Sequence, residues 1–487
     1  MKSIPALSVV AFALPFFASG EEQPLTYCRD IAPLLQQKCV ECHREGGGGP
    51  FSLQSYRDAS RKARTIVRVV EDRFMPPWHA IGGDIPLEGD RRLTAQEIEI
   101  IRAWAKAGKP EGDPADLPPP RQFAKGWHLG QPDLVVTMAE AYDLPAEGPD
   151  VYRNFVVSTG LKEEKFLRAI EFRADSPEIV HHALLFLDGS GKARRADAKD
   201  DEPGFGEMPI DAAGGKQVGG WVPGATPRPL PRGLAFRVSP GADIVIQTHF
   251  HPSGKPESEQ STIALYFTDE PPEKEFTTLQ IPPFFGAFSG VDLLPDEDHV
   301  EIHDSFELPV DVHAFGAHAH AHYRGKSMRM VAKLPNGEAL NLLNIPDWDM
   351  DWQEDYRFVE QVFLPAGTRL EVDVVWDNSA ESTKNPVIPP VRVRWGFESL
   401  DEMGSIDLFV VPAGDRNQNT AGMKTLRSAY REHLVWCAGE HVLRPDKLAI
   451  FGELRRKAIA RFDKNGDGYL GLEEREAAKL SLKEALP

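Results

Sequence analysis

Cysteine is scarce in this chain: four in 487 residues. That excludes a disulfide-stapled scaffold, whose small domains depend on dense cross-links. Long apolar runs are also missing after the first twenty residues, so no later segment is expected to cross a bilayer. Basic residues are outnumbered, 55 Lys and Arg against 74 Asp and Glu, for a formal net charge of −19. Such a balance disfavours nucleic acid and anionic membranes as partners. No repeat of solenoid type is visible.

The apolar run that does exist opens the chain. Lys2, the stretch from Ile4 to Phe17 and the small residues Ala18-Ser19-Gly20 make residues 1–20 an expected export signal. A periplasmic or secreted protein is therefore expected. Two of the four cysteines lie in Cys39-Val40-Glu41-Cys42-His43. Thiols at this spacing suit thioether bonds to haem vinyl groups, with His43 beneath the iron as first axial ligand. A zinc ribbon would need a second cysteine pair nearby, and there is none. Met75, in Arg73-Phe74-Met75-Pro76-Pro77-Trp78, is the expected second axial ligand, with His79 as its rival. Cys28 and Cys437 could pair in an oxidising compartment or be unrelated.

Hydrophobic periodicity divides the chain. Residues 24–114 read as a small all-α unit. Short helices are expected over Ile31–Gln37 and Asp58–Arg73, and a third opens on Thr94-Ala95-Gln96-Glu97, a capping-box pattern. A proline-rich linker, 115–129, follows. From about Asp133 to Pro412, short β-branched and aromatic runs alternate with Gly, Pro and Asp turns, which predicts antiparallel sandwiches. The length suggests two, over 130–272 and 273–425, with Asp269-Glu270-Pro271-Pro272 as the seam. The Gly- and Pro-rich stretch from Asp201 to Pro231 reads as a long surface loop. The small N-terminal unit resembles the cytochrome c domains at the front of many exported bacterial oxidoreductases. The matching segments are Asp30-Ile31-Ala32-Pro33-Leu34-Leu35, the Cys39–His43 motif, Gly49-Pro50-Phe51, Met75-Pro76-Pro77-Trp78 and Ile101-Arg102-Ala103-Trp104. This resemblance implies an electron-transfer module.

Histidines carry the next signal. In Asp243-Ile244-Val245-Ile246-Gln247-Thr248-His249-Phe250-His251, a strand would turn Ile244, Ile246 and Phe250 to a core and His249 to the other face. His318, His320 and His322 likewise share a face. His181 and His182 are adjacent, so they can meet one metal only if the backbone is irregular or the rings bind through different nitrogens. Imidazole and thioether ligands suit copper, which alternates between two oxidation states on them.

Val180-His181-His182-Ala183-Leu184-Leu185-Phe186, Gln247-Thr248-His249-Phe250, His320-Ala321-His322-Tyr323-Arg324-Gly325-Lys326 and Asp401-Glu402-Met403-Gly404 occur in the order found in copper type II monooxygenases. These are the relatives of peptidylglycine alpha-hydroxylating and dopamine beta-monooxygenases. The resemblance implies two jelly-roll-like sandwiches with one copper on each. His181, His182 and His249 would hold the electron-accepting copper. His320, His322 and Met403 would hold the copper where dioxygen reacts and a substrate C–H bond is hydroxylated. Gln247 would orient ligands from behind. The chain departs from the family where an arginine grips the substrate carboxylate: here the residue is His318. Ser405 and Asp407 replace an asparagine and a tyrosine, so neither a peptidylglycine nor a catecholamine substrate carries over. His251, His313 and His318 stay unassigned.

Near the C-terminus, Asp463 to Glu474 fits a twelve-residue EF-hand loop within an expected helical segment, 443–487. Asp463, Asn465, Asp467 and Glu474 would offer side-chain oxygens and Tyr469 its carbonyl to calcium. The expectation is an exported monooxygenase with haem c, two coppers and calcium, fed by an external electron donor. Its substrate, small or peptide-like, is unidentified. A haem–copper electron carrier or copper-binding protein without substrate chemistry is the competing expectation.

Overall fold

The computed structural model describes residues 23–437, apart from 46, 124–125, 207–215, 224, 288, 290 and 397, together with 461 and 464. The expected export signal and the calcium ligands Asp463, Asn465, Asp467, Tyr469 and Glu474 lie outside the described residues.

The front of the chain is helical. A π turn, Tyr27–Ile31, runs into the helix Ala32–Lys38, and two longer helices follow, Tyr56–Glu71 and Ala95–Lys106. Each longer helix starts where a hydroxyl satisfies an orphan amide: Ser55 accepts from Asp58 N–H, and Thr94 and Glu97 form the full capping box. Ala59, Ala63, Ile66 and Val70 fall on one face and pack with Ile31, Leu35, Ile101 and Trp104 in a common core. Burial of each larger apolar side chain there stabilises the unit by about 1.5–3 kcal/mol.

From residue 134 the chain is mostly antiparallel sheet. In the first half one sheet has the order Val151–Ser158, Asp243–Phe250, Val180–Asp188, Lys216–Trp221, and it faces Leu134–Thr137, Thr262–Thr268, Lys165–Arg173, Phe236–Val238. The second half repeats the plan. Thr277–Ile281, Gly404–Pro412, Val312–Ala321 and Asp355–Leu364 form one sheet; Val300–Glu307, Arg369–Trp376, Gly325–Lys333 and Ala339–Ile345 form the other. None of these sheets mixes the two halves, and the break lies between Thr268 and Thr277, around the Asp269–Pro272 seam. Ile244, Ile246 and Phe250 are buried in one core and Ile406, Leu408 and Val410 in another, and Phe276, Phe315 and Val411 of the second half pack into the first. The helix Arg416–Cys437 then packs on the second half and runs across residue 425.

The expected surface loop from Asp201 to Pro231 needs correction. Lys216–Trp221 is an edge strand paired to Val180–Asp188. Gly219 sits there because a β-carbon would stand 2.6 Å from Ile170 Cγ2; close packing, rather than looseness, explains that glycine. No described helix is long and apolar enough to cross a membrane.

The helical unit does not hang from its proline linker. Trp78 and Ala80 are buried in the core of the second half, and Leu87 bridges to Phe358. Ile81 and Asn344 exchange hydrogen bonds, and Asp84 and Asn341 do the same. Residues 78–91 thus form a strap along two edge strands of the second half. The linker is fastened as well: Arg121 pairs with Glu41, and Trp127 and Leu129 pack under Ala169, Ala264 and Tyr266.

Candidate metal centres

His181, His182 and His249 converge. The strand Val180–Asp188 pairs with Asp243–Phe250 through a register shift between Val180 and His182, so an irregular backbone admits both neighbours to one side. One ring nitrogen from each residue lies within 4.8 Å of the other two. His181 Nδ1 and His182 Nδ1 are 3.2 Å apart. Two ligands held about 2.0 Å from one ion at tetrahedral angles would be about 3.3 Å apart. His181 Nε2 donates to Asp351 Oδ1 at 2.7 Å and His249 Nε2 to Asp150 Oδ2 at 2.8 Å. His249 Nδ1 is left buried with no hydrogen-bond partner. An orphaned nitrogen inside a ring of imidazoles fits a bound metal. Burial, reinforced by the neighbouring rings, holds His182 well below the ordinary imidazole value, and burial also lowers His249. Burial opposes ionisation of Asp150, yet His249 and His251 bring its carboxyl down to about 2. Tyr152 stacks on His249 at 4.2 Å between ring centroids.

His320 and His322 lie at the end of Val312–Ala321 and just beyond it, with rings 5.3 Å apart and nearly perpendicular. The register pairs His320 with Ser405 and Ala321 with Gly404. Extended by one residue it sets Met403 opposite His322, on the face that carries both imidazoles. Met403 is buried. His320 Nδ1 donates to Gln353 Oε1 at 2.5 Å and His322 Nδ1 to the Asp401 carbonyl at 3.0 Å, so Nε2 is the nitrogen each ring has for a ligand. Desolvation brings His320 down to about 3 and His322 to about 4, so both rings are neutral and able to donate a lone pair at ordinary pH. Glu402 ties the turn together, accepting from Arg324 N at 2.6 Å, His322 N at 3.1 Å and Trp376 Nε1 at 3.0 Å. Burial raises its carboxyl to about 8 against those donors.

At the cysteine motif, His43 N–H donates to the Cys39 carbonyl at 3.0 Å, which winds both thiols and the imidazole into one turn. His43 Nδ1 donates to the Phe51 carbonyl at 3.0 Å, leaving Nε2 for iron. A β-carbon at Gly49 would stand 2.8 Å from His43 Nδ1. This fixed, glycine-lined imidazole fits a covalently held haem. Met75 is half-buried beyond the helix Tyr56–Glu71, whereas His79 turns its Nδ1 to the Asp347 carbonyl at 3.0 Å.

No known family's profile matches the chain, and no curated protein matches it. Solved structures give only faint likenesses. The major capsid protein P2 from bacteriophage PM2 is similar over 57% of this chain and 97% of that one, at 9% identity and a TM-score of 0.24. PNGase F, a glycosylasparaginase from Flavobacterium meningosepticum, is similar over 57% and 96%, at 11% identity and a TM-score of 0.23. Neither bears on what the site does.

A single loop touches both imidazole sets and the strap that follows Met75. Asp347 meets His79 through its carbonyl, Asp351 holds His181, Gln353 holds His320, and Glu354 binds Arg91 through two hydrogen bonds of 3.2 and 2.7 Å. Arg91 in turn donates to the Pro77 carbonyl at 2.7 Å and lies over Trp78. Tyr323 OH donates to Asp150 Oδ2 at 3.3 Å, a second crossing between the halves. None of Asp150, Asp351, Gln353 or Glu354 was singled out by sequence, because each reaches its partner across the fold.

Gln247 donates to Asn154 Oδ1 at 3.2 Å. His251 is exposed and pairs with Asp150 at 2.8 Å. His313 packs on Phe363. His318 is buried, 3.0 Å from Asp355, with Asp407 opposite in register. Cys28 is a buried thiol of the helical unit and Cys437 ends the last described helix; they are not bonded to each other.

Proposed function

We propose that the chain is an exported monooxygenase of the copper type II kind. Its two β halves would each carry one copper on a jelly-roll-like sandwich, its N-terminal unit would be a cytochrome c domain, and its C-terminal segment would be a calcium-binding EF-hand. The observation that carries the reading is the convergence of His181, His182 and His249 on one half and the close His320–His322 pair on the other, with one loop holding both His181 and His320. His181, His182 and His249 would hold the first copper; His320, His322 and Met403 the second; Cys39, Cys42, His43 and Met75 the haem. Bound copper supplies one-electron redox chemistry and, when reduced, reactivity toward dioxygen, while haem iron stores an electron for it.

The chain's own groups make the ligand sets ready. Asp150 and Asp351 fix the tautomers of His249 and His181, and Gln353 and the Asp401 carbonyl fix those of His320 and His322. The depressed proton affinity of His182, His320 and His322 removes the competition that a proton would offer a cation. The soft thioether of Met403 favours the reduced ion.

A second reading, a haem–copper carrier without substrate chemistry, is favoured by His318 and Asp407. They fill the positions where the family grips its substrate, and both are buried against one another's strands. Mixing chemically reduced protein with dioxygen separates the two readings. Fast haem reoxidation only in copper-loaded protein is expected, with the advantage lost in Met403→Ala while the haem absorption stays intact. Equal, slow rates with and without copper would overturn the oxygen-activating reading and leave the carrier.

A further inference from the structure

A third cluster of donors lies away from both imidazole sets. Asp304 sits on the strand Val300–Glu307, at the edge of its sheet. His433 and Cys437 are four residues apart on the helix Arg416–Cys437 and so share one face. Asp304 Oδ2 is 3.0 Å from His433 Nε2, Cys437 Sγ is 3.5 Å from the same nitrogen, and Sγ is 3.7 Å from Asp304 Oδ2. His433 and Cys437 are buried.

Cys, His and Asp together raise the thought of a nucleophile with its base. The geometry argues against it. In such a triad the thiol meets one ring nitrogen and the carboxylate orients the ring through the other. Here both approach Nε2 more closely than Nδ1, which stands 3.9 Å from the sulfur. Three donor atoms gathered about one point describe a cation site. With zinc-type bond lengths, about 2.3 Å to sulfur and 2.0–2.2 Å to nitrogen and oxygen, tetrahedral ligands would be about 3.3–3.7 Å apart. The sulfur distances already match; the shorter imidazole–carboxylate approach is the hydrogen bond that an ion would replace.

We propose that Asp304, His433 and Cys437 bind a divalent zinc-type cation that clamps the last described helix to the edge of the second β half. A thiolate, an imidazole and a carboxylate form a borderline-soft set that suits zinc, with a fourth position open to water. Binding expels the Cys437 thiol proton to solvent and breaks the His433–Asp304 hydrogen bond. The imidazole sets contain no thiol, so this site is chemically separable from them.

The test uses the full-length haem-loaded, copper-free protein titrated with cobalt(II). A thiolate-to-cobalt charge-transfer band is expected, seen as a difference spectrum over the haem, saturating at one ion per chain and chased out by zinc. Cys437→Ser should lose the band, and Asp304→Asn should weaken cobalt binding more than tenfold, with the haem absorption unchanged in both. In wild-type protein, zinc should slow alkylation of Cys437 more than tenfold, read by mass on its peptide; this arm needs no variant to fold. Absence of the band, its survival in Cys437→Ser, or alkylation indifferent to zinc would each overturn the proposal.

Discussion

An imidazole presents one nitrogen to a metal only when something settles where its other proton goes, and the two ligand sets settle it in opposite ways. In the first set, carboxylates hold His181 and His249 at Nε2 and leave Nδ1. In the second, Gln353 and the Asp401 carbonyl hold Nδ1 and leave Nε2. Since Nδ1 is the nitrogen nearer the backbone, the first ion would lie tight against its own strands and the second would stand further out. Asp150 is the sharpest probe, because Asp150→Ala leaves His249 Nε2 buried without an acceptor. Such outer contacts are worth about 10–100-fold in metal affinity. Titration with copper(I) against a chelator should show the first set weakened by about that factor, while the copper that remains keeps the sulfur neighbour of Met403 in its X-ray absorption. Loss of that sulfur signal, or no loss of affinity, would sink the assignment. The three histidines that converge, His181, His182 and His249, were legible in the sequence because strand periodicity and their local motifs mark them. Asp150 and Asp351 were not, since 99 and 170 positions separate them from the rings they hold.

At the scale of elements, the sequence announced what depends on neighbours along the chain and hid what depends on packing. The Thr94–Glu97 box, the apolar face of Ile244, Ile246 and Phe250 and the irregular backbone that His181 and His182 require are local facts. The strand Lys216–Trp221 was hidden because Gly219 and Gly220 read as loop, when they answer to side chains on neighbouring strands. The linker's anchoring was hidden for a similar reason. Its prolines leave docking open, and in the structure His128 Nδ1 meets Glu171 Oε1 at 2.9 Å, while the backbone amides of His128 and Leu129 donate to the same carboxylate. The hydrogen bond to Glu171 raises His128 above its ordinary 6.5, and, against burial, His128 lowers Glu171. A raised histidine contributes stability that is fully present below pH 6.5 and fades as pH climbs through the raised value. Because the imidazole is partly exposed, the effect is small. The stability gap between wild type and His128→Gln, followed by thermal unfolding from about pH 5 to pH 9, should narrow as pH rises. A gap that widens with pH would show that the pair does not hold the linker.

Across the whole molecule, the question is how the N-terminal helical unit meets the imidazole sets. The sequence suggested only a proline-rich linker at Leu117–Pro120, with electrons expected to pass from haem to the first copper. The structure adds a second join, along the strap. Burial raises the Cys42 thiol, and Arg91 and Glu354 act on it in opposite senses, so the cysteine motif lies near the strap. From Pro77, two residues past Met75, the hydrogen bonds run through Arg91 to Glu354, and the next residue back, Gln353, holds His320. Asp351, two further back, holds His181. The helical unit is therefore joined by hydrogen bonds to a loop that serves both imidazole sets, and its shorter connection leads to His320. Arg91 and Glu354 form a half-buried, two-pronged pair, and charge-assisted hydrogen bonds of this kind contribute about 1.5–3 kcal/mol. Glu354→Ala should slow copper-dependent haem reoxidation by about tenfold or more, with the haem spectrum and copper content unchanged, and Glu354→Gln should recover part of the rate through the single donor–acceptor contact it retains. Stopped-flow mixing with dioxygen measures both. If Glu354→Ala reoxidises at the wild-type rate, electrons reach copper by a path that bypasses the strap, and the linker face around Arg121 and Trp127 becomes the place to look.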